Sequence, residues 1–179
     1  MRGKYIVDLR FCEYNHKLRK MSTRVCWICK RGRKRSNGIS SNLTLEEAFQ
    51  WAESFEKLMA TKYGPIIYAA YLKMEHSEEN MKFWLACETY KKSASRFVRI
   101  SKAKKLYKTY IQPQSPREIN IDSPTREAII KNIQEPTQNC FDEAQKIVYM
   151  HMERDSYPRF LRSELYQNLI ESLQLDSHT

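Results

Sequence analysis

The chain has 179 residues, 41% of them hydrophobic and 12% aromatic, with only four glycines and six prolines, which excludes a disordered or fibrous protein and favours one helical domain with a real core. The formal net charge of +10 is concentrated in residues 1–41, which hold twelve basic and two acidic residues, whereas the remainder holds nineteen of each. The folded part is therefore neutral, and we predict no nucleic-acid partner.

Residues 1–41 are interpreted as a basic N-terminal arm. Met21 opens a segment that reads like a second natural start, so residues 1–20 are interpreted as an alternative extension. The sequence shows no signal peptide and no apolar run long enough to span a membrane. We therefore expect a reducing cytosolic compartment and no disulfides.

Within the arm, Cys26-Trp27-Ile28-Cys29 precedes a dense basic run. A zinc site needs four ligands, and no second pair is present. A redox pair belongs in a βαβ context, which is absent. Membrane contact remains, with acylation of Cys26 and Cys29 and attraction of the basic run to anionic lipid. A solvated tail and a nuclear import signal are the alternatives.

The folded part begins near Leu43. Residues 44–47 fit a capping box, and apolar residues then recur at helical spacing, which predicts a helix over about 44–61. Gly64-Pro65 is expected to end it, and a second helix is predicted over 66–74.

The most apolar helix is predicted to start at Ser77 and to run to Tyr90. Ser77 is a good N-cap, and Glu78 and Glu79 suit the first turn of a helix. The apolar residues that follow cover more than one face. Such a pattern is typical of a central helix with neighbours on several sides.

The remaining elements also have helical patterns. Residues 93–100 are predicted to form a loop and residues 101–111 a basic amphipathic helix. Ser123-Pro124 predicts a helix start with proline at its first position, lined by Ala128, Ile129, Ile130 and Ile133. A long helix from residue 137 or 139, a break at 155–158 and a last helix over 159–173 complete the prediction. The predicted fold class is all-α, with about eight or nine helices, a domain at 42–175 and a tail at 176–179.

The sequence offers no catalytic constellation. The four histidines are scattered, and phosphate-loop, nucleophile-elbow and zinc-protease motifs are absent. Cys87 and Cys140 fall among apolar helix positions and are interpreted as inert core cysteines. We predict no enzyme, no cofactor and no metal; an effect on a reaction would be exerted on another protein's active site.

Several segments together resemble the regulator of G-protein signalling (RGS) domain. They are S-E-E-N and F-W-x-x-C-E-x-Y within 77–90, R-E-I-N-I-D-S at 117–123, E-P-T and C-F-D-E-A-Q within 135–145, and M-E-R-D-S-Y and R-F-L within 152–161. The resemblance covers about residues 43–173. The short basic arm with its cysteines resembles the small single-domain members of the family.

The resemblance implies a monomeric RGS-type helical bundle that acts as a GTPase-activating protein. Its partner would be the GTP-bound α subunit (Gα) of heterotrimeric G proteins, of the inhibitory and/or q-type class. By stabilising the switch regions of Gα it would attenuate receptor signalling. The implied location is cytoplasmic, with peripheral association at the inner plasma-membrane surface, or nuclear.

The resemblance also implies a Gα-contact surface from three segments. Asn120 matches the asparagine that approaches the catalytic glutamine of Gα. His76 and His151 depart from the aromatic and the leucine usual in the family, which bears on Gα subtype preference. The full set of implied contact residues is Glu75, His76, Glu79, Asn80, Glu118, Asn120, His151, Asp155, Ser156 and Arg159.

Other interpretations stay open at this point. From the residues alone, a helix-start role for Asn80, a turn role for Asn120 and a cap role for Asp155 are favoured over a contact role, and only the resemblance reverses that order. The domain could be a helical scaffold for a partner other than Gα. It could also activate small GTPases by inserting an arginine, with Arg117 or Arg159 as the candidate.

Overall fold

A computed structural model describes residues 43–177, and all their regular structure is helical. The predicted all-α fold is confirmed, with nine α-helical and two π-helical segments in this part of the chain. The predictions about the N-terminal arm, including Met21, Cys26 and Cys29, lie outside the described residues. The segments are α1 (Leu45–Gln50), α2 (Phe55–Ala60), α3 (Gly64–Met74), α4 (Glu78–Lys91), α5 (Arg96–Leu106), π1 (Tyr107–Ile111), α6 (Ser123–Asn132), α7 (Asp142–His151), π2 (Met152–Ser156), α8 (Tyr157–Arg162) and α9 (Glu164–Ser177).

The described chain divides into two compact units. The central unit is residues 76–155, and the terminal unit combines residues 43–75 with residues 156–177. In the central unit α4 packs against α5 and α7, and α6 packs against α7. In the terminal unit α2 packs against α3, and α9 packs against α1 and α8.

The predicted central helix is confirmed as α4. Its buried residues are spaced by two or three positions, so they point to more than one side of the helix. This burial pattern follows from its having α5 and α7 as neighbours. Ser77 does occupy the N-cap position, but its side chain makes no capping hydrogen bond. The buried residues are Met81, Phe83, Leu85, Cys87 and Tyr90.

Aromatic rings hold the core of the central unit together. Phe141 lies edge-on to Tyr90, at 5.1 Å between ring centroids, and to Phe83, at 6.3 Å. Phe83 also contacts the ring of Tyr110 at 5.5 Å. The hydroxyl of Tyr90 donates a hydrogen bond to the carbonyl of Thr137 at 2.5 Å. Rings from α4, π1 and the segment before α7 are thereby fixed relative to one another.

A second ring cluster fills the terminal unit. Phe160 is fully buried and contacts Tyr68, Tyr71 and Tyr166 at centroid distances of 5.4, 5.5 and 5.2 Å. The Tyr166 hydroxyl donates to the carbonyl of Ala48 at 2.9 Å, so a polar tip is satisfied inside an apolar core.

The prediction of one helix over 44–61 is wrong. Trp51 is fully buried at the C-cap of α1, and the chain then turns before α2. Ser54 has extended backbone, and its hydroxyl accepts from the N–H of Lys57 at 3.1 Å, which starts a new helix. The apolar spacing continues across this turn, so periodicity alone did not reveal it. Gly64 and Pro65 form the first turn of α3 rather than a separate break.

Other predicted boundaries are also wrong. Residues 96–100 belong to α5 instead of a loop, because exposed Phe97 and Val98 hide the apolar pattern there. Asp122, not Ser123, caps α6, and its carboxylate accepts from the N–H of Thr125 at 2.8 Å. Of the residues predicted to line α6, Ala128 and Ile130 are exposed.

The predicted break at 155–158 is wrong as well. Residues 152–156 form π2, and Tyr157 opens α8 directly with Pro158 in its first turn. The helix is interrupted later, at Ser163, whose backbone is extended (φ −73°, ψ 150°). The single helix predicted over 159–173 is therefore two helices, α8 and α9.

Candidate protein-binding surface

The loop between π1 and α6 presents Asn120 to solvent from a rigid base. Asn120 is exposed, whereas its neighbours Ile119 and Ile121 are 1% and 7% exposed. The N–H of Ile119 donates to the carbonyl of Tyr110 at 2.9 Å. Two buried side chains and a backbone hydrogen bond thus fix the backbone that carries the exposed amide. An amide held in this way offers both a donor and an acceptor to a partner.

Glu118 braces the same loop. One carboxylate oxygen accepts from the N–H of Gln114 at 2.8 Å, and the other accepts from Arg126 at 3.0 Å. Gln114 has a positive φ of 61°, a backbone conformation that residues with a side chain rarely adopt. The hydrogen bond from its N–H to Glu118 helps to maintain it. The bond from the Gln114 N–H, and then that from Arg126, hold the pKa of Glu118 below its usual value.

This lowered pKa predicts how stability depends on pH. Since the folded-state pKa is below the unfolded one, the contribution of Glu118 is complete above about pH 4.3, the ordinary glutamate value, and disappears as pH falls through the folded value. Glu118→Gln is expected to lower the midpoint of urea unfolding at pH 6 and to lower it less at pH 3. Glu171→Gln, at an exposed position of α9, is the control. If Glu118→Gln lowered the midpoint of urea unfolding by the same amount at both pH values, the prediction would be contradicted.

The start of α4 carries another predicted segment. Glu79 and Asn80 lie in its first turn and are half-buried. His76 is exposed and has a positive φ of 53°, so the chain enters α4 through a conformation that is uncommon for a residue with a side chain. The neighbouring Glu78 forms an ion pair with Lys82 along the helix.

The third predicted segment surrounds π2. Asp155 is exposed at its end, and His151 is half-buried at the end of α7. π-Helical segments are rare and are often found at functional sites. Among the residues of the terminal unit, Glu75 and Arg159 are exposed. Ser156 is only 5% exposed, and this burial does not favour a direct contact with a partner. Its contact role stays a prediction.

In the described part of the chain, the cysteines are not reactive and the potential metal ligands form no metal site. Burial raises the pKa of Cys87, and burial followed by the charge of Asp142 raises that of Cys140 to about 11. Because the thiolate is the reactive form, both thiols are poor nucleophiles, which supports the interpretation as inert cysteines. Between residues 43 and 177 no group of three or more potential ligands could hold a metal ion. None of the helices described is long and apolar enough to cross a bilayer.

Comparison with known proteins identifies the family. A sequence model described as "Regulator of G protein signaling domain" matches residues 54–169, which is more than half of the chain. The chain belongs to the RGS family. RGS proteins regulate G-protein signalling and act as GTPase activators of Gα subunits.

Individual RGS proteins are similar to this chain over most of their length. Human "Regulator of G-protein signaling 13" is 75% identical over 154 residues, which cover 86% of this chain and 97% of that protein. The mouse protein of the same name is 71% identical over 157 residues, covering 88% and 99%. Human "Regulator of G-protein signaling 8" is 50% identical over 138 residues, covering 77% of each chain.

The sequence did not reveal how the Asn120 loop is supported. The alternation in Glu-Ile-Asn-Ile-Asp could have indicated that residues 119 and 121 point inward. Nothing in the sequence links Arg126, on the next helix, to Glu118 and to the end of π1. Such a contact depends on tertiary structure, and it becomes visible only in the fold.

Proposed function

We propose that this RGS chain accelerates GTP hydrolysis by binding Gα in its GTP-bound, transition-state-like form and stabilising the switch regions. Asn120 carries the proposal, because it is an exposed amide held between two buried isoleucines in the loop that matches the family's contact segment. A donor and acceptor carried on a fixed backbone can order a mobile switch without adding charge.

In the proposed mechanism, this chain supplies no catalytic group of its own. Gα already supplies an arginine and a glutamine that orients the attacking water. A partner that binds the transition-state arrangement more tightly than the ground state lowers the barrier by that difference. A hundredfold acceleration requires about 2.7 kcal/mol. A few hydrogen bonds, each worth about 0.5–1.5 kcal/mol, are sufficient.

The contact surface is proposed to include Glu79, Asn80 and Asp155 of the central unit together with Asn120. The partner is proposed to be a Gα subunit of the inhibitory and/or q-type class. His76 and His151 border these segments along the chain and are proposed to influence subtype preference. The chain is proposed to act as a monomer.

The N-terminal arm is proposed to bring this activity to the inner plasma-membrane surface. Acylation of Cys26 and Cys29 and the basic run after them would supply two attachments, which stable peripheral binding requires. The chain would then be cytoplasmic and peripherally membrane-associated, with nuclear import as the alternative location.

The experiment is single-turnover GTP hydrolysis by purified inhibitory and q-type Gα subunits, with and without the full chain. We expect at least a hundredfold acceleration on one of these classes, and its reduction by Asn80→Ala. A folded chain that binds Gα but accelerates no member of either class would leave the scaffold interpretation. Arg117→Ala and Arg159→Ala test the inserted-arginine mechanism, which predicts that one of them abolishes activity on a small GTPase.

A further inference from the structure

Arg126 connects both ends of the loop that carries Asn120. Its Nη1 donates to the carbonyl of Ile111 at 2.6 Å, where π1 ends, and to the Oε1 of Glu118 at 3.0 Å. The other oxygen of Glu118 accepts from the N–H of Gln114. One guanidinium therefore joins the entry of the loop to Glu118, two positions before Asn120, and Glu118 in turn holds Gln114.

The position of Arg126 on its own helix is also fixed. Its N–H donates to the carbonyl of Asp122 at 3.1 Å, and the carboxylate of Asp122 caps the same helix through Thr125. The Arg126 side chain is 18% exposed, and its bond to the carbonyl of buried Ile111 is partly shielded from water, whereas its partner Glu118 is exposed. Charge-assisted hydrogen bonds are among the stronger ones in proteins, and partial burial strengthens them further.

We propose that Arg126 is a positioning residue for the Gα contact, which holds Asn120 in its binding conformation by joining the Ile111 carbonyl to the Glu118 carboxylate. The inference rests on the proposed function, and it adds a residue that lies outside the predicted contact set. Arg126 acts through the loop and does not itself reach the reacting phosphate.

The chemistry of arginine suits this task. The two acceptors are reached from one nitrogen of a planar, permanently charged group, which fixes their mutual geometry. A lysine at this position would keep the charge but lose the planar arrangement. Arg126→Lys is therefore expected to be intermediate between the parent and Arg126→Ala.

The first test requires no Gα. Hydrogen exchange of the Ile119 N–H, which is bonded to the carbonyl of Tyr110, reports local opening at the base of Asn120. Arg126→Ala is expected to speed this exchange about tenfold or more, since the charge-assisted bond to the partly buried carbonyl of Ile111 corresponds to about that factor. Arg96→Ala is the matched control, because it removes an exposed ion pair with Glu135 in the same unit. Equal exchange in the parent and Arg126→Ala would overturn the inference.

The second test separates positioning from general damage to the fold. At saturating chain, Arg126→Ala is expected to reduce the rate of GTP hydrolysis by Gα about tenfold when Asn120 is present. In the Asn120→Ala background the same change is expected to cost less than about twofold, because residues that act as one unit are not additive. A loss by the same factor in both backgrounds would show a merely structural role and overturn the inference.

The outcomes for the inference and for the proposed function differ. If the parent chain accelerates no Gα, the proposed function fails. If the parent accelerates and Arg126→Ala is as active as the parent, the inference alone fails. Circular dichroism establishes that each variant is folded. Should Arg126→Ala not fold, Arg126→Lys takes its place, with an expected loss of several fold that again depends on Asn120.

Discussion

Replacing Asn120 by alanine is expected to reduce the acceleration of GTP hydrolysis about tenfold to a hundredfold. In the proposed contact, the substitution would leave buried groups of Gα without a hydrogen bond, which costs about 1–3 kcal/mol. Because Asn120 is exposed and its neighbours supply the packing, the free energy of unfolding should change by no more than about 0.5 kcal/mol. Single-turnover hydrolysis and urea denaturation measure the two quantities on the same preparation.

Asn132→Ala is the matched control for this variant. Asn132 is also an exposed asparagine of the central unit, at the end of α6, and it belongs to none of the proposed contact segments. Its variant should retain full acceleration. If Asn120→Ala were as active as Asn132→Ala, the switch-stabilising mechanism would have no support from this loop.

Phe160→Ala is expected to lower the free energy of unfolding by about 3–5 kcal/mol. The ring is fully buried and contacts three tyrosines, so its removal loses apolar burial and leaves a cavity that the neighbouring rings fill poorly. Domains of this size are stable by about 5–15 kcal/mol, so the loss would take much of the total. Urea denaturation followed by circular dichroism provides the measurement.

Phe97→Ala removes the same side chain from the surface. Phe97 is 86% exposed, so the expected change in the free energy of unfolding is within about 0.5 kcal/mol. Phe160→Leu keeps much of the volume and should cost less than Phe160→Ala. Comparable effects of Phe160→Ala and Phe97→Ala would contradict the description of the aromatic core.

The sequence predicted the helical class and the central helix because their causes are local or periodic. The apolar positions of α4 cover more than one face, and that pattern alone implies several neighbours. The turn after Trp51 was missed because a buried tryptophan keeps the apolar spacing of a continuous helix. The start of α5 was missed for the opposite reason, since Phe97 and Val98 are exposed.

For the candidate site, the residues could be predicted but the contacts that support them could not. The resemblance indicated Asn120 and Glu118, and the structure shows how each is held. The second function of Glu118, as a brace for Gln114 and Arg126, could not be predicted. It arises from groups four and eight residues away that meet only when π1 and α6 are in place.

The burial pattern of Ile119, Asn120 and Ile121 has an evolutionary consequence. Surface loops usually accept insertions and deletions, because few of their side chains enter the core. In this loop an added or lost residue beside Asn120 would turn an isoleucine outward and the amide inward. A single substitution at residue 120 can therefore be tolerated as a lineage adapts to new partners. A change in loop length would require several compensating substitutions at once. We expect descendants of this chain to differ in the exposed residue and to share the length of the segment that presents it.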